Sequence, residues 1–210
     1  MSGGSGDNSS MHQTERVSDE IERWLTGDGE KTLGSLMGMF GEKSFAVIFL
    51  FLLGVPALPL PTGGATHVFE VIVMLLALQL IIGRREPWLP DRWRRVELAG
   101  SKQERFLNGL LKTVRWLERF TRPRLHQLFG HRVSNAVFGL MIFGLSAGAF
   151  LAPPFSGLDT LPALGGVVVS LAVLVEDIAV LIVGLAIGVA GVVLEIVLGR
   201  AALSAVENLF

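Results

Sequence analysis

Five apolar runs dominate the pattern of the chain. They cover residues 45–60, 68–83, 134–151, 161–175 and 178–198, and prolines, glycines or charged residues separate them. A helix that crosses the hydrocarbon layer at right angles needs about 20 residues, so only the last run is comfortably long enough. The pattern predicts an all-α integral membrane protein that combines short helices with a C-terminal transmembrane helix.

Two pairs of these runs are joined by bends rich in proline and glycine. The first bend contains PLPTGG, residues 59–64, and the second is PPFSGLD, residues 153–159. Such bends leave backbone groups without partners in lipid, so protein shelters them, or they line a wet cavity or lie in the interface. We predict two Pro/Gly-tipped helical hairpins that enter the membrane and return. Ordinary but thin or tilted spans are the alternative.

The two hairpins show a weak internal repeat. Residues 49–64 align without gaps with residues 142–157, which places Pro61 opposite Pro154 and Gly64 opposite Gly157. Internal symmetry of this kind occurs in repeat-built transport proteins. We predict a duplication, and the alternative is that two membrane hairpins of this composition look alike by chance.

The polar segments differ in the sign of their charge. The first 43 residues hold four Lys or Arg and eight Asp or Glu, whereas residues 84–132 hold thirteen basic and five acidic side chains. Residues 101–122 show helical periodicity, with an apolar face formed by Leu107, Leu110, Leu111, Val114, Leu117 and Phe120. This pattern predicts an amphipathic helix lying along the lipid headgroups. By the positive-inside bias the basic segment is cytoplasmic.

The start of the basic segment is typical of a membrane-interface anchor. Its twin arginines and tryptophans directly follow the second apolar run. The predicted anchors are Arg84, Arg85, Trp88, Trp93, Arg94 and Arg95. Because these residues flank membrane segments, we expect them to bind anionic lipid headgroups and not nucleic acid.

These patterns divide the chain into seven segments. They are a disordered tail or expression linker (1–17), a soluble N-terminal helix (18–29), a first membrane hairpin (30–83), the cytoplasmic basic segment (84–132), a second hairpin (133–177), the C-terminal transmembrane helix (178–199) and a tail (200–210). Ser18 is the predicted cap of the soluble helix. No secretory signal is recognisable, so we expect the first membrane element to be retained.

Composition supports the membrane assignment and narrows the chemistry. Apolar residues make up 50% of the 210-residue chain, and the mean hydropathy is positive, which is too apolar for a small soluble domain. The chain has no cysteine, which excludes disulfides, thiolate metal sites and cysteine nucleophiles.

One acidic residue stands out in the first hairpin. Glu70 is the single charged residue between residues 44 and 83, and an ionised carboxylate there is costly unless it is paired, wet or protonated. It is a proton-coupled carboxylate, a substrate contact, a partner for a donor on the neighbouring hairpin, or a structural group. His67, three residues earlier, either shares a proton with Glu70 or is simply solvated.

The bends complete the candidate ligand or proton site. Both expose backbone amides ahead of helix N-termini, where an anionic group is favoured; a tight turn is the alternative, and for Asp159 a helix cap. The candidate residues are Glu70, His67, Pro61, Thr62, Gly63, Gly64, Ser156, Gly157 and Asp159.

Other polar residues receive structural interpretations. We expect Gln79 to form an interhelical hydrogen bond and Glu195 to reach the interface, where it pairs with Arg200. Glu176 and Asp177 predict a break between two helices, with a cation relay as the alternative.

Small residues and histidines give two further expectations. The glycines at 139, 144, 148, 184, 188 and 191 favour close helix packing or dimerisation. His126 and His131 have the wrong spacing for one helical face and no acidic or cysteine companions, so no metal site is predicted.

Four motifs carry a resemblance to a known family: PLPTGG, LALQLIIGRREPWLP, TLPAL and EDIAVLIVGLAIG. Together they resemble the ExoD family of bacterial exopolysaccharide-synthesis membrane proteins over residues 30–198. The second bend, PPFSGLD, departs from the family's usual Pro-Leu-Pro pattern. The resemblance implies an inner-membrane protein linked to exopolysaccharide production, and it supplies no catalytic residue, cofactor or metal ligand.

Two hypotheses follow. The first is a small transporter-like protein that supports exopolysaccharide synthesis or export through a site between the hairpin tips, as a homo-oligomer in which a dimer is favoured. The second is a non-transporting scaffold that recruits synthesis enzymes through its basic segment. An enzyme is disfavoured because the apolar runs lack paired acids, a serine with a base, or metal ligands.

Overall fold

The computed structural model describes residues 17–58, 65–95, 97, 101–120, 132–153 and 156–207. The helices are α1 (Val17–Thr26), α2 (Leu33–Phe40), α3 (Ser44–Gly54), α4 (Ala65–Ile82), α5 (Asp91–Arg94), α6 (Ser101–Phe120), α7 (Arg132–Leu151), α8 (Thr160–Val175) and α9 (Ile178–Glu207), with a 3₁₀ turn at Gly41–Lys43. Apart from one isolated bridge between Thr32 and Glu97, the secondary structure of these residues is helical, which confirms the all-α prediction for this part of the chain.

The break between α8 and α9 lies where the two adjacent acidic residues predict it. Glu176 ends α8 in the left-handed region, with φ 56°. The Asp177 side chain then accepts hydrogen bonds from the backbone amides of Ala179 at 2.7 Å and Val180 at 3.1 Å. Asp177 thereby satisfies amides of the first turn of α9 that have no partner within the helix.

Two antiparallel hairpins form the centre of the bundle. Helices α3 and α4 form the first, and α7 and α8 form the second. Leu53, near the end of α3, lies against Gly166 in α8, and Lys43, before α3, contacts Glu176 after α8. These contacts show that α3 runs antiparallel to α8, so the end of α3 and the start of α8 lie at one end of the bundle, the tip end.

The outer helices expose apolar side chains in stripes at helical spacing. On α4 the exposed residues are Val68, Val71, Leu75, Leu78 and Ile82, and α7 and α9 carry similar stripes. By contrast, every residue of α3 except Phe51 is buried. Apolar stripes this long on three neighbouring helices are unusual for a soluble monomer and are expected where lipid covers the surface.

Two of the described helices are long and apolar enough to cross a membrane. They are Arg132–Leu151 and Ile178–Ala201, whereas α3, α4 and α8 provide shorter apolar stretches. The structure therefore confirms the short apolar helices α3, α4 and α8 and the long α9. The expectation that only the last run reaches spanning length is wrong, because α7 begins at Arg132, ahead of its apolar run, and is 20 residues long. Re-entry of the hairpins and the internal repeat stay predictions.

Glycines of α7, α8 and α9 allow these helices to pack closely. A Cβ on Gly165 would lie 2.3 Å from the Gly188 Cα, and one on Gly191 would lie 2.6 Å from the Pro162 Cδ. Gly148 faces Val192, and Gly139 faces the Ala77 carbonyl. These glycines therefore serve packing within the chain, as predicted, whereas Gly144 has open space around the position of a Cβ.

The N-terminal helix is packed against protein, which corrects its interpretation as a solvated helix capped by Ser18. Helix α1 begins at Val17, and Val17, Ser18 and Ile21 are buried. The Ser18 hydroxyl donates to Glu118 Oε2 in α6 at 2.6 Å. The polar composition of the segment concealed an apolar stripe, in which Val17, Ile21 and the partly buried Trp24 follow helical spacing.

The amphipathic helix α6 also turns part of its apolar face inwards. Leu111 and Val114 belong to the hydrophobic core, and α6 contacts α1 and α8. Arg115 additionally pairs with Glu22 of α1. Protein, and not headgroups, therefore covers these two positions, because α1 supplies a matching apolar stripe. Trp116 stays exposed.

Candidate functional site

The start of α4 contacts the second hairpin near its bend. The Thr66 hydroxyl in the first turn of α4 donates to Asp159 Oδ2 at 3.1 Å. The His67 ring contacts Phe150 in an edge-on arrangement, with the ring centroids 5.3 Å apart. The structure therefore joins the start of α4 to the bend that links α7 and α8, as the candidate site requires.

Asp159 contributes its side chain to this junction and not to a helix cap. It occupies the position before α8, but its carboxylate makes no capping hydrogen bond. The carboxylate instead accepts from Thr66, which is itself buried. The interpretation of Asp159 as a side-chain cap is therefore wrong, because a donor on the other hairpin uses that carboxylate.

Glu70 lies on the buried face of α4. Thr66, Glu70, Val73, Ala77 and Leu80 follow helical spacing, and all of them are buried. The Glu70 side chain is fully buried, and its Oε2 lies 2.7 Å from His67 Nδ1. The other carboxyl oxygen, Oε1, has no hydrogen-bond partner. Sequence analysis identified Glu70 as a candidate and gave its contact with His67 as one of two alternatives, of which the solvated histidine was the other.

Glu195 of α9 is a third carboxyl at the tip end. It is 8% exposed, its Oε1 has no hydrogen-bond partner, and it lies close enough to Asp159 and Glu70 to repel both. The expectation that it reaches the interface and pairs with Arg200 is therefore wrong. Helix α9 presents Glu195 on the face that packs against α8.

A glycine pattern could have identified Glu195. Gly184, Gly188, Gly191 and Glu195 follow one another at intervals of four, three and four residues, so they share one face of a helix. The three glycines contact α7 and α8. A residue one turn beyond Gly191 on this face is directed towards the hairpins and away from lipid.

Ser146 of α7 is a further polar group that sequence analysis missed. It is fully buried, and its hydroxyl has no hydrogen-bond partner. Phe150 contacts His67, and Gly139 faces Ala77 and Ile81, so α7 runs antiparallel to α4. One turn before Phe150 is therefore level with one turn after His67, which places Ser146 level with Glu70.

The remaining candidates do not join this cluster within the part of the chain that the structure describes. Ser156 and Gly157 are exposed, and the Ser156 hydroxyl donates to the Pro153 carbonyl at 2.6 Å within the bend itself. Gly157 has φ 68°, a left-handed conformation that suits glycine in a turn. The tight-turn alternative therefore describes both residues. Pro61, Thr62, Gly63 and Gly64, like His126 and His131, lie outside the described residues.

The opposite end of the bundle is basic. Arg84, Arg85, Arg94 and Arg95 are exposed, and Trp88 is 63% exposed, whereas Trp93 packs partly against the core. At this end Arg132 Nη2 also donates to the Ile82 carbonyl at 3.2 Å. The described anchors thus lie beyond the end of α4, far from the tip end.

Gln79 fixes the start of the anchor segment. Its amide donates to the Trp88 carbonyl at 3.3 Å, and its carbonyl accepts from the Trp88 amide at 2.8 Å. The expected interhelical hydrogen bond is therefore wrong, because Gln79 binds the backbone of the segment that follows its own helix. This pair of bonds holds Trp88 against the end of α4.

We expect Gln79→Leu to loosen the anchor segment without unfolding the bundle. Loss of two hydrogen bonds at a partly solvated position should cost about 1 kcal/mol. Trypsin should then cleave faster after the exposed Arg84 and Arg85. Gln79→Glu keeps the acceptor for the Trp88 amide and should give an intermediate rate. Equal cleavage rates in the wild type and Gln79→Leu would show that this pair does not order the segment.

The tip-end cluster thus holds three carboxyls (Glu70, Asp159 and Glu195), one imidazole (His67) and two hydroxyls (Thr66 and Ser146). These groups are contributed by α4, α7, the bend before α8, and α9. Among the described residues, no group of three or more His, Asp and Glu side chains has an arrangement that could hold a metal ion. The carboxyls, imidazole and hydroxyls of the cluster can form hydrogen bonds and exchange protons.

Comparison with known proteins identifies relatives over most of the chain. The family model described as "Exopolysaccharide synthesis, ExoD" matches residues 17–197. Protein ExoD of Rhizobium meliloti is 32% identical over 181 residues, which are 85% of this chain and 74% of that protein. An uncharacterized protein of Synechocystis sp. is 26% identical over 165 residues, 77% of each chain. No solved structure matches the chain.

Proposed function

Because the chain belongs to the ExoD family, whose description is exopolysaccharide synthesis, we propose that it is a transporter-like membrane protein supporting exopolysaccharide synthesis or export. The observation that carries this proposal is the buried Glu70 carboxyl where the start of α4 contacts the second hairpin. A charged group so placed in an apolar bundle is costly and is typical of a functional site.

The architecture supports a site between the hairpins. At the tip end Thr66 and Asp159 connect the two hairpins by a hydrogen bond, and the bond between His67 and Glu70 is the next polar contact along α4. Rearrangement of a few hydrogen bonds could therefore change how the hairpins meet at this end. Transport proteins bind substrates at such junctions between helical units.

We place the protein in the bacterial inner membrane as a multi-pass protein. The exposed stripes on α4, α7 and α9 face lipid, and the basic segment from residue 84 to 132 lies on the cytoplasmic side, where its arginines bind anionic headgroups. The protein acts without a catalytic centre, as a homo-oligomer, with a dimer favoured because a partner shelters the bends from lipid.

Complementation tests the proposal. Glu70→Gln, produced in an exopolysaccharide-secreting strain that lacks its own ExoD-family protein, should leave exopolysaccharide yield at the level of the empty strain. The amide keeps the size of the side chain but cannot exchange a proton or carry charge. Immunoblots of the membrane fraction verify that the variant accumulates normally.

Glu86→Gln is the matched control, since Glu86 is an exposed acid near the basic end and its loss should not alter the yield. Full complementation by Glu70→Gln would exclude a transport site at this carboxyl. If an Arg84→Gln/Arg85→Gln variant lost the yield at the same time, the scaffold hypothesis would replace the proposal.

A further inference from the structure

The tip-end cluster has an excess of acidic groups. Glu70, Asp159 and Glu195 lie within electrostatic range of one another, and the basic group His67 is in contact with Glu70. If all three acids were ionised, even a charged imidazole would balance one of the three negative charges. In an apolar bundle such an imbalance is unfavourable, so the cluster is expected to retain protons.

No other described cation faces the cluster from the helices packed around it. Lys43, before α3, is paired with Glu176 at the far end, and Arg132, at the start of α7, contacts the far end of α4. Helix α8 carries no charged side chain. Arg200 of α9 lies five residues beyond Glu195 and is exposed.

Three polar groups of the cluster have buried atoms without a hydrogen-bond partner. One oxygen of Glu70 and one of Glu195 are buried without a partner, and so is the Ser146 hydroxyl. Ser146 is level with Glu70 and belongs to neither acid's helix. A buried hydroxyl without a partner costs free energy, so the Ser146 hydroxyl, which is level with Glu70, is available as a further hydrogen-bonding group of the cluster.

We propose that the cluster is a proton-exchange site in which Glu70 and Glu195 take up and release the proton. His67 is hydrogen-bonded to Glu70, and the path onward to Glu195 through Asp159 and Ser146 closes only when these groups move into hydrogen-bonding distance. Transfer from Glu70 Oε2 to His67 Nδ1 leaves a carboxylate and an imidazolium, so no other reactant is needed. This inference rests on the proposed function, because it makes H⁺ the coupling ion of that site.

The path crosses three separate structural units. Glu70 and His67 belong to the first hairpin, Ser146 and Asp159 to the second, and Glu195 to α9. A relative shift of these units would therefore make or break the path, and at the tip end the hairpins are joined directly by the bond between Thr66 and Asp159. Such a coupling between proton position and hairpin contact is what a proton-driven cycle requires.

Carbodiimide labelling tests the inference on the full chain reconstituted in phosphatidylethanolamine–phosphatidylglycerol vesicles. Dicyclohexylcarbodiimide reacts with protonated carboxyls: the acid O–H adds across a C=N bond, and the acyl group then migrates to nitrogen, giving a stable N-acylurea. Peptide mass spectrometry should locate this adduct on Glu70 or Glu195. Labelling should fall about tenfold per pH unit once the site ionises.

Variants test whether the two carboxyls share one site. Glu195→Gln should lower the rate at which Glu70 is labelled at a fixed pH, because loss of one repelling charge favours the ionised form of Glu70. Glu86→Gln should leave that rate unchanged. Absence of adduct on both residues at every pH overturns the inference. So does protection by Na⁺ but not K⁺ with no effect of pH, which would mark a cation site.

The two proposals fail in different ways. If Glu70→Gln abolishes exopolysaccharide yield but neither acid is labelled, the proton site is wrong while the proposed function stands. If labelling follows pH as expected but Glu70→Gln complements fully, the carboxyls exchange protons without serving transport, and both the coupling role and the proposed function are wrong.

Discussion

Replacement of Gly165 by Ala is expected to destabilise the bundle by about 3 kcal/mol. A Cβ at this position would lie 2.3 Å from the Gly188 Cα and 2.5 Å from the Gly188 nitrogen. Both are backbone atoms, so no side-chain rotation relieves the clash, and α8 and α9 must separate. Unfolding by SDS in mixed micelles, followed by the fluorescence of the tryptophans, measures this loss.

Gly144→Ala is the matched control for this prediction. Gly144 also lies within a long apolar helix, but a Cβ there would meet no heavy atom within 4 Å. Since Ala is a better helix former than Gly, this variant should gain about 0.5–1 kcal/mol. Equal stability of the two variants would contradict the close contact of α8 with α9.

Removal of the Lys43 ammonium is expected to cost about 2 kcal/mol, a value below that for a fully buried pair because Lys43 is partly exposed. Its Nζ lies 2.7 Å from Glu176 Oε1 and 3.4 Å from the Leu174 carbonyl at the end of α8. Lys43→Met keeps the aliphatic stem but leaves the buried carboxylate of Glu176 without this partner. The same SDS titration measures the effect.

A second variant separates the charge pair from the backbone geometry. Glu176→Gly removes the charge that Lys43 neutralises and places glycine at a positive φ, which recovers about 1 kcal/mol of backbone strain. The double variant Lys43→Met/Glu176→Gly should therefore be more stable than Lys43→Met alone. If the double variant is as unstable as the sum of both single changes, the ion pair does not explain the role of Lys43.

The ends of α7 and α8 were predictable because strong local signals mark them. Helix α7 ends at Leu151, before two prolines, and α8 ends at Val175, before two acids. The ends of α3 and α9 were less predictable. The first apolar run continues to residue 60, but α3 stops at Gly54 because Pro56 follows. Helix α9 continues beyond its apolar run to Glu207 through a segment that contains three alanines and a leucine, which are good helix formers.

Some contacts of the candidate site were likewise predictable from local sequence, and others were not. Glu70 and His67 are neighbours on one helix, so helical spacing alone brings them together. Asp159 also had a local interpretation as a cap, and its partner Thr66 lies 93 residues away, which no local pattern reveals. Local sequence pairs Glu195 with its neighbour Arg200, but the close packing of the α9 glycines against α8 sets the rotation of α9 and directs Glu195 inwards.

The near-complete burial of α3 has a consequence for how the protein is made. Helix α3 leaves the ribosome long before α8, the helix that covers it, has been synthesised. During that interval α8 cannot cover α3, so apolar residues on every side of α3 suit contact with other apolar surroundings. The uniformly apolar sequence of α3 therefore suits a helix that is synthesised before the second hairpin, which then buries it.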